Sequence, residues 1–189
     1  MESISNVAID PYRLNNRYPT HPASVSFVKT CWAPILRLVE LSVFDEVAEL
    51  VRAMAPDAIG EVRVRAHRRG VKVWFDTDAA GKEHYEAQVL SRRYIDGTEG
   101  MAIEIGFHSE HKDQSKNISV VDHLMTTEKK WRKELGTQPE VDVFYGAENW
   151  RRVSETWIEP DLDDEEITFE IASRLVDYVS ALQPELPAE

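Results

Sequence analysis

A single α+β domain built on an antiparallel sheet is the fold class this sequence predicts, and three observations predict it. Segments between 61 and 107 alternate apolar and polar residues with period two. Apolar residues at steps of three and four mark helices on either side of them. The strand-like segments follow one another across short polar turns, without the regular alternation of strand and helix that a doubly wound parallel sheet requires.

In chain order, residues 1–21 are polar, carry Pro11, Asn15, Asn16 and Pro19, and read as an extended arm. Val25, Val28 and Trp32 recur at helical intervals up to Pro34. Beyond it Leu36, Val39, Val43, Val47, Leu50 and Met54 form one apolar stripe, which should stop near Pro56 because a residue before proline is pushed out of helical geometry. Val62, Val64 and Ala66 then alternate with Arg63, Arg65 and His67. After Arg68-Arg69-Gly70, Val71, Val73 and Phe75 alternate with Lys72 and Trp74, completing a hairpin. A third strand is expected over 84–95 and a turn at Asp96-Gly97. The fourth strand sets Met101, Ile103, Ile105 and Phe107 against Ala102, Glu104, Gly106 and His108. Four strands joined this way make a meander.

A helix carrying Ile118, Val121, Leu124, Met125, Trp131 and Leu135 should follow and end at Gly136. Val141–Tyr145 and Trp150–Ile158 read as a second hairpin turned by residues 146–149. A last helix is expected from Asp163, with Glu166 as a capping-box partner, to Pro184, leaving 184–189 as a loose tail. This order is similar to that of secretion-chaperone-like domains, and the resemblance, which is one of fold alone, implies a small acidic homodimer.

Composition narrows the function classes. At 189 residues and 42% hydrophobic the chain suits one domain with a real core, and with no apolar run near the ~20 residues of a spanning helix no membrane partner is expected; MESISNVAIDPYR shows neither the basic nor the apolar region of a secretory signal, so a cytoplasmic location is expected. Cys31 is the only cysteine, which excludes an internal disulfide and any all-cysteine metal site. The net charge of −12 is concentrated: from Glu155 to Glu189 eleven acidic residues face Arg174 alone, whereas Glu61 to Lys72 carries five basic residues against Glu61. A basic patch in an acidic molecule weakens the case for general nucleic-acid binding, whose usual footprint is a domain-wide basic field, and leaves a basic protein partner for the acidic end or an acidic ligand for the hairpin as expectations.

Three functions follow as expectations. With no nucleophile elbow and no glycine-rich phosphate loop, the first is a non-catalytic protein-binding domain of chaperone, adaptor or immunity type, without a cofactor. It would use the acidic C-terminal third and a mixed-charge sheet face bearing Arg63, Arg65, His67, Trp74, Arg92, Glu104 and His108. The second is a metal-dependent hydrolase or nuclease with a divalent ion on His108, Glu110 and His111, since imidazole and carboxylate are the donors zinc, manganese or iron takes. On a continuing strand His108 and His111 point to opposite faces, so this set requires the chain to turn near Ser109. The third is a nucleic-acid-binding module using the basic 61–72 hairpin. Asp76-Thr77-Asp78-Ala79-Ala80-Gly81 resembles the start of a calcium loop but has Ala80 and Ala87 where further oxygen ligands belong, and reads as a hairpin loop.

Overall fold

The computed structural model describes residues 32–75, 81–95 and 100–187, the side chains of 32–42 and of Arg92 excepted. The N-terminal arm, Cys31, the calcium-like loop from Asp76 to Ala80 and the Asp96-Gly97 turn lie outside the described residues. Six antiparallel strands form one sheet: β1 (Val62–His67), β2 (Gly70–Phe75), β3 (Glu83–Val89), β4 (Ala102–Ser109), β5 (Glu140–Phe144) and β6 (Ala147–Ile158), in the order β1-β2-β3-β4-β6-β5. The predicted meander and second hairpin are both present, joined where β6 pairs with β4.

Four helices accompany the sheet: α1 (Trp32–Met54), α2 (Gln114–Thr126), α3 (Glu128–Leu135) and α4 (Ile167–Leu182). The single helix expected over 118–135 is therefore two. They part at Thr127, where the Thr126 and Thr127 hydroxyls donate to the His123 and Leu124 carbonyls, and these local bonds compete with the helical ladder. The third strand is shorter than expected. It stops at Val89, and a 3-10 turn over Arg92–Tyr94 takes the remainder. The last helix begins at Ile167 rather than Asp163, because the Asp161 and Asp164 carboxylates accept from the backbone N–H groups of Asp163 and Glu166 and shape turns there instead.

Register fixes the two faces. Val71, Ala87 and Ile105 stand in one row and Val73, Tyr85, Phe107 and Val153 in the next, and this face packs against the helices as the main apolar core. A pleated strand turns alternate residues to the other side. There Lys72, Glu86, Gly106, Ser154 and Glu140 form one row, and His84, His108, Arg152 and Asp142 another.

The expectation that this second face lies open corrects itself at its centre. Glu104 and His108 are fully buried, as are His84 and Ser154, with Arg152 and Glu86 nearly so. The cover comes from the end of the second hairpin. A register shift at Val143/Phe144 bends β5, and Phe144 packs edge-on against His108 with ring centroids 4.8 Å apart. Tyr145 stacks under the Arg152 guanidinium and bonds Thr156, while Trp150 backs Phe144. The domain thus has an apolar core on one side of the sheet and a polar one on the other. Among the described residues, no helix is long and apolar enough to cross a membrane.

Candidate metal centre

The polar core arises from two short alternating runs on adjacent strands. His84, Glu86 and Gln88 share a face of β3, and Glu104, Gly106 and His108 share the same face of β4, with Glu110 continuing that parity one step past the strand end. Antiparallel pairing sets His84 opposite His108, Glu86 opposite Gly106 and Gln88 opposite Glu104. The Glu110 N–H donates to the Lys82 carbonyl at 2.7 Å, which holds the glutamate beside the end of β3.

His84, His108 and Glu110 each bring one ligand atom within 4.8 Å of the others. Glu110 Oε1 lies 3.8 Å from His84 Nε2 and 3.9 Å from His108 Nδ1. Donors on a tetrahedral zinc ion stand about 3.3 Å apart, given metal–ligand bonds of about 2.0–2.1 Å, so the three side chains would have to draw in by about half an ångström or more to close on one ion. Glu86 supplies a fourth oxygen, 3.2 Å from His84 Nε2 and 3.8 Å from His108 Nδ1. Its other oxygen takes a 2.8 Å hydrogen bond from His67.

The two imidazoles are held differently. His108 Nε2 bonds both oxygens of Glu104, at 2.9 and 3.0 Å, and Glu104 is itself fixed by the Gln88 amide at 3.1 Å. That leaves Nδ1, fully buried and hydrogen-bonded to no described residue, directed at Glu86 and Glu110. A carboxylate on the far nitrogen that fixes the ring and its tautomer is the usual support of a metal-binding histidine. His84 Nε2 bonds Glu86.

Electrostatics separates the groups. Burial lowers the His84 pKa to about 4, with the charges of His108 and Lys72 pushing the same way and the bond to Glu86 opposing. Burial also works against charge on His108, yet Glu104, Glu86 and Glu110 together outweigh it and raise its pKa. For Glu86 and Glu104 the penalty of burial is overcome by their imidazole partners, and both stay below the usual carboxylate range. Glu110 is raised, first by burial, against the pull of Lys72 and His108.

Of the residues singled out from sequence, His108 and Glu110 come together here and His111 does not. The strand runs straight through Ser109 without the turn that set required, and His111 Nε2 pairs with Glu83 at 2.7 Å. Its backbone N–H is taken by the Asn117 side chain of α2. Arg65 and His67 are exposed on the rim, Arg63 and Trp74 are half-buried, and Arg92 opens the 3-10 turn after β3. Sequence reasoning missed His84 as a partner. The signal was there in the parity of His84-x-Glu86-x-Gln88, polar at every second position like Glu104-x-Gly106-x-His108.

No protein-family model, no curated protein and no solved structure matches this chain.

Proposed function

We propose that the protein is a metal-dependent hydrolase whose divalent ion, zinc by donor type, is held by His84, His108 and Glu110. The observation that carries this reading is the buried His108 Nδ1, hydrogen-bonded to no described residue and lying 3.8 Å from Glu86 and 3.9 Å from Glu110, on a ring whose other nitrogen Glu104 holds. Leaving a buried polar atom unpaired costs ~1–3 kcal/mol, and ligation removes that cost. Two imidazoles and one carboxylate are a donor set of catalytic zinc sites, which leave a fourth position to water. An ion bound there would bring its water to a pKa near 7 and polarise a substrate oxygen. Glu86, whose carboxylate lies beside both imidazoles, is the base within reach of that position. Lys72 Nζ, 3.6 Å from Glu86, supplies positive charge for an oxygen that becomes negative during reaction.

The test is metal analysis of the purified full chain after zinc loading and desalting. One equivalent is expected for the wild type, with loss in both His84→Ala and His108→Ala, together with chelator-sensitive cleavage of a chromogenic ester. Absence of stoichiometric metal in the wild type ends the reading.

A second reading, a protein-binding domain, draws on the exposed acidic run Asp163, Asp164, Glu165 and Glu166 ahead of α4. It expects capture of a basic protein partner that is lost when these four are neutralised; capture unchanged by the four substitutions counts against it.

A further inference from the structure

We infer that the group this centre receives is a phosphoryl group, carried by a small ester rather than by a long nucleic acid; the inference rests on the metal reading above. It comes from where the basic hairpin sits relative to the two imidazoles. The register of β1 with β2 sets Arg65 directly opposite Lys72, and that of β2 with β3 sets Lys72 opposite Glu86. Arg65, Lys72, Glu86 and Gly106 therefore form one row across the sheet, on the same face as His84 and His108. The charged side of the hairpin is the wall of the site.

Lys72 carries positive charge beside both Glu86 and Glu110. Its ammonium stands 3.6 Å from Glu86 Oε2 and 3.9 Å from Glu110 Oε2, close enough to feel both and hydrogen-bonded to neither, and its side chain keeps 27% of its surface exposed. Lys82, one residue before β3, accepts the Glu110 N–H on its carbonyl, and its exposed side chain carries a charge that Glu110 feels. His67 stands on the same rim, bonded to Glu86.

Consider the charge once an ion is in place. Glu86, Glu104 and Glu110 carry three negative charges, and a divalent ion with Lys72 cancels them. Arg152 on the same face is paired with Glu140, and Arg65, in the Lys72 row, and Lys82, whose charge reaches Glu110, add exposed positive charge. A ligand with two negative charges and several oxygens meets that arrangement: one oxygen at the ion's open position, others toward the Lys72 ammonium and the Arg65 guanidinium. A carboxylate has one charge and no third oxygen to spend on the rim. A long polyanion matches the rim but not the molecule, since the net charge of −12 repels it as a whole.

The experiment is calorimetric titration of inorganic phosphate into the full chain with and without one equivalent of zinc, with acetate and a single-stranded oligonucleotide as parallel arms. Phosphate is expected to bind the zinc-loaded chain and to bind the metal-free chain at least about tenfold more weakly. Lys72→Met should lower phosphate affinity about tenfold while keeping one equivalent of zinc, and Arg65→Ala, at an exposed position, about threefold. If zinc fails to bind, the metal reading falls and this inference with it. If zinc binds but phosphate ignores it, or neither substitution weakens phosphate, the inference alone is overturned. Acetate binding as tightly as phosphate, or the oligonucleotide binding more tightly per phosphate, also overturns it.

Discussion

Glu104 and His108 meet directly over Gly106: the His108 Nε2 lies 2.9 Å from one Glu104 oxygen and 3.0 Å from the other, although four residues separate them along β4. Four strand residues span about 13 Å, so both side chains must lean inward to touch. A Cβ built at Gly106 would run into Ser154 Cβ and Cα and the Val153 carbonyl of β6, so the glycine sets how closely the two strands approach.

Gly106→Ala should therefore be costly, because the added methyl forces β4 away from the β6 backbone. Overpacking of this kind costs about 1–3 kcal/mol, and the upper end is expected where the obstruction is backbone. Urea unfolding reads it. A variant as stable as the wild type would mean that the sheet opens at this point without cost.

Glu104→Gln separates support from ligation. The glutamine keeps the volume but removes the charge that fixes the His108 ring, so zinc affinity should fall about 10–100-fold with the fold retained. Competition against a chromophoric chelator measures the affinity, and circular dichroism checks the fold. Unchanged affinity would make Glu104 a packing residue only.

The alternation that made the sheet legible also concealed its polar core. Period two correctly sorted Val71, Val73, Tyr85, Ala87, Ile103, Ile105 and Phe107 onto one face, because burying apolar area dominates strand orientation. The same rule sends ionic residues to water by default, so Glu104 and His108 were expected outside. What the pattern does not carry is tertiary: the bulge at Val143/Phe144 folds Phe144, Tyr145 and Trp150 over that face, and a cross-strand register then sets His84 opposite His108, 24 positions away in sequence. The link His108–Glu110 lay within one strand parity and was visible. His111 lay on the other parity and went to Glu83.

Acidification should weaken the fold through His84. Burial, with the charges of His108 and Lys72, lowers its pKa from 6.5 to about 4, against the bond to Glu86. Between those values the unfolded chain holds more protons, so stability rises with pH and is lost as pH falls, by up to ~3 kcal/mol once pH drops below the folded value. His108 has the opposite sign: its pKa is raised, so its contribution is complete below 6.5 and fades as pH rises through the folded value. The stability gap between wild type and His84→Asn, measured by urea unfolding of metal-free protein, should narrow from pH 7 to pH 4.5. A gap that stays constant over that interval would show that His84 protonates as freely as in the unfolded chain.

On the helix side of the sheet Glu155 and Arg174 form a largely buried ion pair. Glu155 accepts from Arg174 at 3.0 and 2.5 Å, from Trp157 Nε1 at 2.8 Å and from the Tyr178 hydroxyl at 3.2 Å, tying β6 to α4. Arg174→Met removes the cation and leaves a buried carboxylate with two neutral donors, a loss expected at about 3–5 kcal/mol. Adding Glu155→Leu should recover part of it, since an apolar pair avoids the stranded charge but leaves the Trp157 Nε1 and Tyr178 hydroxyl donors without their acceptor. If the double variant were no more stable than Arg174→Met, the cost would lie in lost packing around the guanidinium rather than in the uncompensated carboxylate.

Phe144 tests whether the aromatic cover keeps the polar core dry. It packs against His108 on one side and Trp150 on the other, with centroid distances of 4.8 and 5.6 Å, and it also lines a cleft of about 220 Å³ with Tyr94, Tyr145, Arg69 and Gln88. Water admitted through Phe144→Ala would reach Gln88 and Glu104 first, because Gln88 borders the cleft and bonds Glu104. The His108 Nε2 proton, shielded in the wild type, should give a slowly exchanging imidazole resonance far downfield in the proton NMR spectrum, and exchange in Phe144→Ala should be faster. The stability cost is expected near 2 kcal/mol, about half that of a fully buried phenylalanine, because Phe144 is itself half-buried. Equal exchange rates in the two proteins would place the barrier to water elsewhere, in the Tyr145–Arg152 stack that closes the same face from β6.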